Sequence, residues 1–223
     1  MFHRKGIMMP SPQAQRMPGI MRRCRSARLL LTLLAMAPTL APLGACAANT
    51  GLTNLKAITL RDGSNTVVHF VPDGRVGLIV AAHSGSAPTR NDVFVVLLPS
   101  PMPGEGWNIV SINAGPTLRG TGQAAVQDTI TAAQDGIPGL RAVRFARGKM
   151  NGIPQTFLLS AMKDGDGRSP VTLEIYRLSE GNRTGGEQFI QVRQFRSSRR
   201  YCSAVDALSR EFGLPSDSPD SAC

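Results

Sequence analysis

Short apolar runs separated by turn-forming residues recur from Leu55 onward, and this spacing constrains the fold more than any other feature. The runs are six to nine residues long, which is the usual length of a β-strand and short for a helix. Aspartate is followed by glycine at five positions beside these runs, and Asp-Gly favours tight turns. The five aspartates are Asp62, Asp73, Asp135, Asp164 and Asp166.

The apolar runs therefore predict a chain that is mostly sheet. We expect strands at residues 55–60, 66–71, 76–82, 93–98, 107–113, 126–132, 140–147, 154–162, 171–178 and 188–195. The predicted fold class is α+β and mostly β: an antiparallel sheet, a sandwich or a barrel of about eight to ten short strands with one C-terminal helix.

The segment around Asp73-Gly74 predicts a hairpin with a two-residue turn. Such a turn pairs Pro72 with Arg75, and the resulting register places His69 opposite Leu78. Both faces of this hairpin are apolar, so we expect it at the centre of the core. In this register His69 is a core residue rather than a metal ligand.

The C-terminal helix is predicted from its cap and its apolar stripe. Ser203 followed by Asp206 resembles a capping box, and apolar residues recur at helical spacing between 205 and 212. Gly213 is the expected stop.

The N-terminal region has the order of charge and hydropathy that is typical of a secretory leader. Four arginines between positions 22 and 28 precede an apolar run at residues 29–43. This run contains two prolines and is shorter than the roughly 18 to 20 residues of a membrane span. We expect residues 1–45 to be removed, and we expect translation to begin at Met21, which opens a leader of ordinary length.

Residues 43–46, Leu-Gly-Ala-Cys, resemble the lipobox of bacterial lipoproteins. In that family the cysteine is diacylated and becomes the first residue of the mature protein, so the resemblance implies lipidation of Cys46. Ala47 stands where an aspartate is associated with the inner membrane, which favours the periplasmic face of the outer membrane. Residues 45–47 also fit the ordinary signal peptidase, which would release a soluble periplasmic or secreted product beginning at Ala48.

The basic charge of the chain belongs mostly to this leader. Residues 46–223 keep 18 of the 25 basic residues and all 15 acidic residues, which leaves a net charge of +3. We therefore expect no nucleic-acid partner. Residues 46–54 are small and polar, as expected of a tether, and residues 55–223 are long enough for one domain.

Two cysteines remain in the mature chain besides Cys46. In an oxidising envelope, Cys202 and Cys223 predict a disulfide. The alternative is a reactive thiol at Cys202, which precedes the start of a helix.

No strong catalytic motif occurs in the sequence, and we expect no cofactor. The candidate for catalysis is a serine hydrolase site made of His83, Ser84, Ser86 and Asp92, because serine, histidine and aspartate are the components of such a site. Asp164 and Asp166 lack the later ligands of a calcium loop, so we predict no metal site.

One basic cluster is visible in the mature chain, at Arg193, Arg196, Arg199 and Arg200. Behind a secretory leader, its anionic partners would be lipid head groups or acidic glycans, and the alternative is a solvated connection to the helix. Together these features predict a lipid-anchored envelope protein with a noncatalytic binding or assembly role, whose candidate partners include other envelope proteins. A periplasmic hydrolase is the alternative.

Overall fold

Two β-sheets and one helix make up the described part of this computed structural model. The structure describes residues 51–85, 91–102, 104–118, 125–132, 140–179 and 186–215, all of them within one compact unit. The elements are β1 (Leu52–Ala57), β2 (Gly63–Val67), β3 (Gly77–Ser84), β4 (Asn91–Pro99), β5 (Trp107–Ile109), β6 (Ser111–Asn113), β7 (Val126–Gln127), β8 (Ile130–Ala132), β9 (Arg141–Met150), β10 (Ile153–Lys163), β11 (Val171–Ser179), β12 (Gln188–Arg196) and α1 (Ala204–Phe212).

The strands form a large first sheet and a smaller second sheet. The first sheet has the order β1-β9-β10-β11-β12-β6-β7, and the second has the order β2-β3-β4-β5 with β8 also paired to β4. All pairings between described strands are antiparallel except that of β12 with β6, which is parallel. The sheets stack as a sandwich rather than closing into barrels. The predicted fold class, mostly β with one C-terminal helix, is confirmed, with twelve described strands instead of eight to ten.

The main core lies between the two sheets. Phe145 contacts Phe189 edge to face, with ring centroids 6.2 Å apart, and Phe189 contacts Phe70 in the same way at 6.3 Å. Ile79 and Leu98 enter this core from the second sheet, and both are fully buried. Burial of these large side chains from both sheets stabilises the sandwich.

The outer face of the first sheet is covered by α1, which makes three layers. Ala204, Ala207 and Leu208 of the helix pack against Leu159 and Leu173 of the sheet. The helix begins as predicted: Ser203 is its N-cap, and its hydroxyl accepts a hydrogen bond from the amide of Asp206 at 3.0 Å.

β1 begins earlier than predicted. The expected tether covered residues 46–54, but the strand starts at Leu52 and pairs with β9. Leu52 and Leu55 are partly buried against the core beneath the helix, so burial of these side chains orders a stretch whose composition resembles a tether.

Two of the predicted strands are each divided between the sheets. The stretch 107–113 forms β5 in the second sheet and β6 in the first, and the stretch 126–132 forms β7 in the first sheet and β8 in the second. At the first crossing Val110 is buried and donates its amide proton to Val96 O at 2.8 Å. Each run passes from one sheet to the other at the edge of the sandwich. The alternation of apolar and polar side chains along a strand gives no sign of such a crossing, so the sequence pattern did not predict it.

The predicted hairpin register is wrong. Val67 pairs with Gly77, so a long loop joins β2 and β3, although the local turn forms and Gly74 N donates to Val71 O at 3.0 Å. His69 has a φ of 50° and is exposed, not in the core as expected. Phe70 is fully buried instead, because the bend at His69 turns the neighbouring aromatic ring inward.

Candidate functional site

Three of the four predicted hydrolase residues, His83, Ser84 and Asp92, lie at one end of the second sheet, where His83 contacts two carboxylates. Its Nδ1 is 2.8 Å from Asp92 Oδ1, and its Nε2 is 2.7 Å from Asp62 Oδ1. His83 and Asp92 are cross-strand partners in β3 and β4. Because a neutral imidazole carries one N–H, an imidazolium satisfies both contacts at once. His83 therefore connects three chain segments, namely β3, β4 and the residues just before β2.

The same geometry leaves the proposed nucleophile apart from the histidine. Ser84 follows His83 directly in β3 and pairs with Asn91, so the side chains of Ser84 and His83 point to opposite faces of the sheet. Ser86 lies outside the described residues. The ring nitrogen that a hydrolase would use as its base contacts Asp62, a partner that sequence reasoning missed.

A groove of about 290 Å³ lies next to His83 and its two carboxylate partners. Phe94 and Phe145 line it and contact each other edge to face, with ring centroids 5.7 Å apart. Arg61, Arg141 and Asp62 also line this groove. It combines aromatic walls with charged groups of both signs.

The four arginines of the predicted basic cluster do not share one face. Arg193 and Arg196 are three residues apart in β12 and point to opposite sides of the sheet. The Arg193 guanidinium lies over the ring of Phe195, 5.6 Å from its centroid, and Arg196 forms an ion pair with Asp164. Arg199 and Arg200 are exposed in the connection to the helix.

A second basic feature is Arg147 of β9, which lines two cavities. A cavity of about 320 Å³ is lined by His69, Phe70 and Arg147, and a larger one of about 580 Å³ is lined by Lys56, Thr66 and Arg147. We call these two spaces together the Arg147 cleft. The Nε of Arg147 is buried and has no hydrogen-bond partner among the described residues.

Sequence reasoning missed Arg147, although a signal for it exists. Val143, Phe145 and Arg147 alternate along the predicted strand at 140–147, so their side chains share one face. Phe145 is a core residue on that face. A cation in line with core residues must be paired or reach a cavity, because burying an unpaired charge is costly.

A buried polar cluster lies deeper between the sheets, around Glu174 of β11. This side chain is fully buried and accepts hydrogen bonds from the hydroxyls of Thr117 and Tyr176, the latter at 2.5 Å. The Tyr176 hydroxyl in turn accepts the amide proton of Gly115 at 2.9 Å. These contacts fix the segment after β6 to the first sheet, so we assign the cluster a structural role.

The pKa of Tyr176 is raised. Burial is the largest cause, and the hydrogen bond to Glu174 and the charge of that carboxylate act in the same direction. The Tyr176 hydroxyl therefore stays protonated well above the pH at which an exposed tyrosine ionises.

The cysteine predictions fall largely outside the described residues. Cys202 is disulfide-bonded, so it is not a free thiol. Cys24, Cys46 and Cys223 are not among the described residues. The pairing of Cys202 with Cys223 and the lipidation of Cys46 therefore stay predictions.

Within the described ranges, no group of three or more histidine, cysteine, aspartate or glutamate side chains is arranged to hold a metal ion. Asp164 instead pairs with Arg196. No helix in these ranges combines the length and the apolar character of a membrane span.

The described part of the chain is a β-sandwich with one helix packed on its larger sheet. No protein-family model matches the sequence, and no curated protein matches it. Among solved structures, the chain is similar to the crystal structure of CarG, with a TM-score of 0.52 and 18% sequence identity. The alignment covers 69% of this chain and 93% of CarG, and at this identity the likeness concerns the fold alone.

Proposed function

We propose that this chain is a lipid-anchored protein of the cell envelope whose sandwich domain has a noncatalytic binding role. The observation that carries the anchor is the Leu-Gly-Ala-Cys sequence at residues 43–46 after a leader-like segment. β1 begins at Leu52, so five residues connect Cys46 to the domain. Five residues span at most about 18 Å, which holds the domain close to the bilayer.

Binding rather than catalysis is supported by the geometry of the two candidate sites. At His83 both ring nitrogens contact carboxylates, and Ser84 points to the other face of the strand. At Arg147 a cation lines two cavities and its Nε has no partner in the described part of the chain. Such a cleft suits an anionic group of an envelope component, and the role needs no cofactor.

Metabolic labelling with radioactive palmitate tests the anchor. The wild-type chain should incorporate label and fractionate with membranes, and Cys46→Ala should lose both properties. Cys24→Ala is the matched control, because it also removes a cysteine near the N-terminus but leaves the lipobox intact. Equal labelling of the wild type and Cys46→Ala, or no labelling of the wild type, would contradict the proposal.

The proposed location is the periplasmic face of the outer membrane, supported by Ala47 after the cysteine. Separation of the two membranes on a sucrose gradient tests it. The protein should migrate with the outer membrane, and Ala47→Asp should shift it toward the inner-membrane fractions. Migration of the wild type with the inner membrane would contradict this location.

A further inference from the structure

Arg147 is the centre of a cationic surface beside β1, the edge strand of the first sheet. Arg147 and Lys56 are cross-strand partners in β9 and β1, so their side chains emerge on the same face of the first sheet, with Cα atoms about 5 Å apart. His69 lines the cleft from the loop between β2 and β3. Among the described residues that line the two cavities there is no aspartate or glutamate.

We propose that the Arg147 cleft binds a phosphate group. This inference rests on the proposed function and names the chemistry of its ligand. A half-buried guanidinium is weakly hydrated and donates two parallel hydrogen bonds to phosphate oxygens, and an adjacent ammonium adds a point charge. Arg147 and Lys56 supply these two groups side by side.

The remaining lining favours phosphate over a carboxylate. Thr59, Ser64 and Thr66 also line the larger cavity, and each hydroxyl is a hydrogen-bond donor. A phosphate ester has more acceptor oxygens than the two of a carboxylate, so it can use more of these donors. The larger cavity, of about 580 Å³, has room for a phosphate and part of the group esterified to it.

The position of the cleft relative to the anchor supports a membrane source of this phosphate. Lys56 lies four residues after Leu52, where β1 begins, which corresponds to about 13 Å along a strand. With the five-residue connection from Cys46, the cleft is within reach of the head-group layer of the membrane that holds the lipid anchor. A soluble phosphate ester has the same chemistry, and the two sources are separated by experiment.

Binding to vesicles and to inorganic phosphate tests the inference. The full chain is purified as the Cys46→Ala variant, which lacks the lipid that would itself insert into any vesicle, and the substitutions below are made in the same background. The protein is mixed with vesicles of phosphatidylglycerol or of phosphatidylcholine, and sedimentation measures the bound fraction. Inorganic phosphate is titrated in parallel, with the shifts of the arginine side-chain NMR signals as the readout. We expect binding to phosphatidylglycerol vesicles, little binding to phosphatidylcholine vesicles, and an affinity that falls as salt is raised.

Arg147→Gln should weaken this binding about tenfold or more, because a charge-assisted hydrogen bond is lost. Lys56→Gln should weaken it less. Arg177→Gln is the matched control: the Arg177 Nε is also buried without a partner among the described residues, but Arg177 lines neither cavity. Circular dichroism of each variant confirms that it is folded.

The results of the two binding experiments distinguish a lipid head group from a soluble phosphate ester. Loss of binding to phosphatidylglycerol vesicles in Arg147→Gln assigns the phosphate to a lipid head group, and an Arg147-dependent response to inorganic phosphate alone assigns it to a soluble ester. Three results would overturn the inference. They are equal binding by the Cys46→Ala parent and Arg147→Gln, equal losses of binding in Arg147→Gln and Arg177→Gln, and no binding of either probe by the Cys46→Ala parent. Palmitate labelling of Cys46 is independent of Arg147, so a negative result in the binding experiment would not contradict the proposed lipid anchor.

Discussion

The ring of Phe70 lies directly over Gly77, so closely that a Cβ atom at position 77 would be 2.4 Å from Cγ of Phe70. Phe70 is fully buried, and Gly77 pairs with Val67 at the start of β3. The missing side chain at 77 therefore provides the space that the aromatic ring occupies. This relationship connects the loop after β2 to the main core.

Gly77→Ala should destabilise the fold by about 1–3 kcal/mol, because the added methyl group forces Phe70 out of its packed position. Urea unfolding followed by circular dichroism measures the change in the free energy of unfolding. Gly165→Ala is the control, since nothing lies within 4 Å of a Cβ at that position. Equal stabilities of the two variants would contradict the packing described here.

Tyr176→Phe should cost about 1–3 kcal/mol of unfolding free energy. The substitution removes the hydroxyl that donates to Glu174 at 2.5 Å and accepts the amide proton of Gly115 at 2.9 Å, and it leaves both partners buried. Tyr201→Phe is the control, because Glu211, the acceptor of the Tyr201 hydroxyl, is only partly buried and can turn to water. Urea unfolding should show a smaller loss for Tyr201→Phe.

The two tyrosines of the sequence should resist ionisation in the native state. Burial raises the pKa of Tyr176 and of Tyr201, and hydrogen bonds to Glu174 and Glu211 raise them further. Absorbance at the phenolate wavelength should therefore stay flat through pH 10.0, the ordinary tyrosine pKa, and should rise in parallel with unfolding.

The raised pKa values of the two tyrosines should make the folded protein less stable at alkaline pH. The unfolded chain loses the two phenolic protons above the ordinary pKa and the native chain keeps them, so the free energy of unfolding should fall as pH rises above about 10. The same titration in concentrated urea should show both tyrosines ionising near their ordinary pKa. Native-state ionisation of either tyrosine near pH 10.0 would contradict the burial described.

Nonreducing peptide mapping should find Cys202 joined to Cys223. Closing this C-terminal loop is worth about 3 kcal/mol in the chain-entropy model, so Cys202→Ser and Cys223→Ser should lower the free energy of unfolding by similar amounts. A free thiol at Cys223 in the mature oxidised protein would exclude this pairing.

Much of the secondary structure was predictable because its signals are local. The runs at 154–162 and 171–178 form β10 and β11 within one residue of the predicted bounds at each end. The helix begins and ends as its cap and its glycine predict, with Gly213 in the left-handed conformation at φ 64°. Turn chemistry and hydrophobic period act over a few residues, so sequence reasoning captures them.

The candidate site was less predictable, because its members come from distant parts of the chain. Sequence reasoning singled out His83 and Asp92, which do contact each other. It did not single out Asp62, whose carboxylate contacts the second ring nitrogen of His83. It also missed Lys56 and Arg147, which are almost a hundred residues apart and meet only because β1 joins the edge of the first sheet beside β9. Which strands become neighbours depends on packing of the whole core.

The sequence by itself determined the class of fold, the positions of most strands and of the helix, and the lipobox-like segment, since each of these is encoded in a short stretch. Only the tertiary structure decided the hairpin register, the division of residues 107–113 between two sheets, and the convergence of cations at the Arg147 cleft. Burial of Phe70 over Gly77 outweighed the register that the Asp-Gly turn favours locally. Contacts between residues far apart in sequence decide such choices, because apolar burial sums over the whole core while a turn acts on four residues.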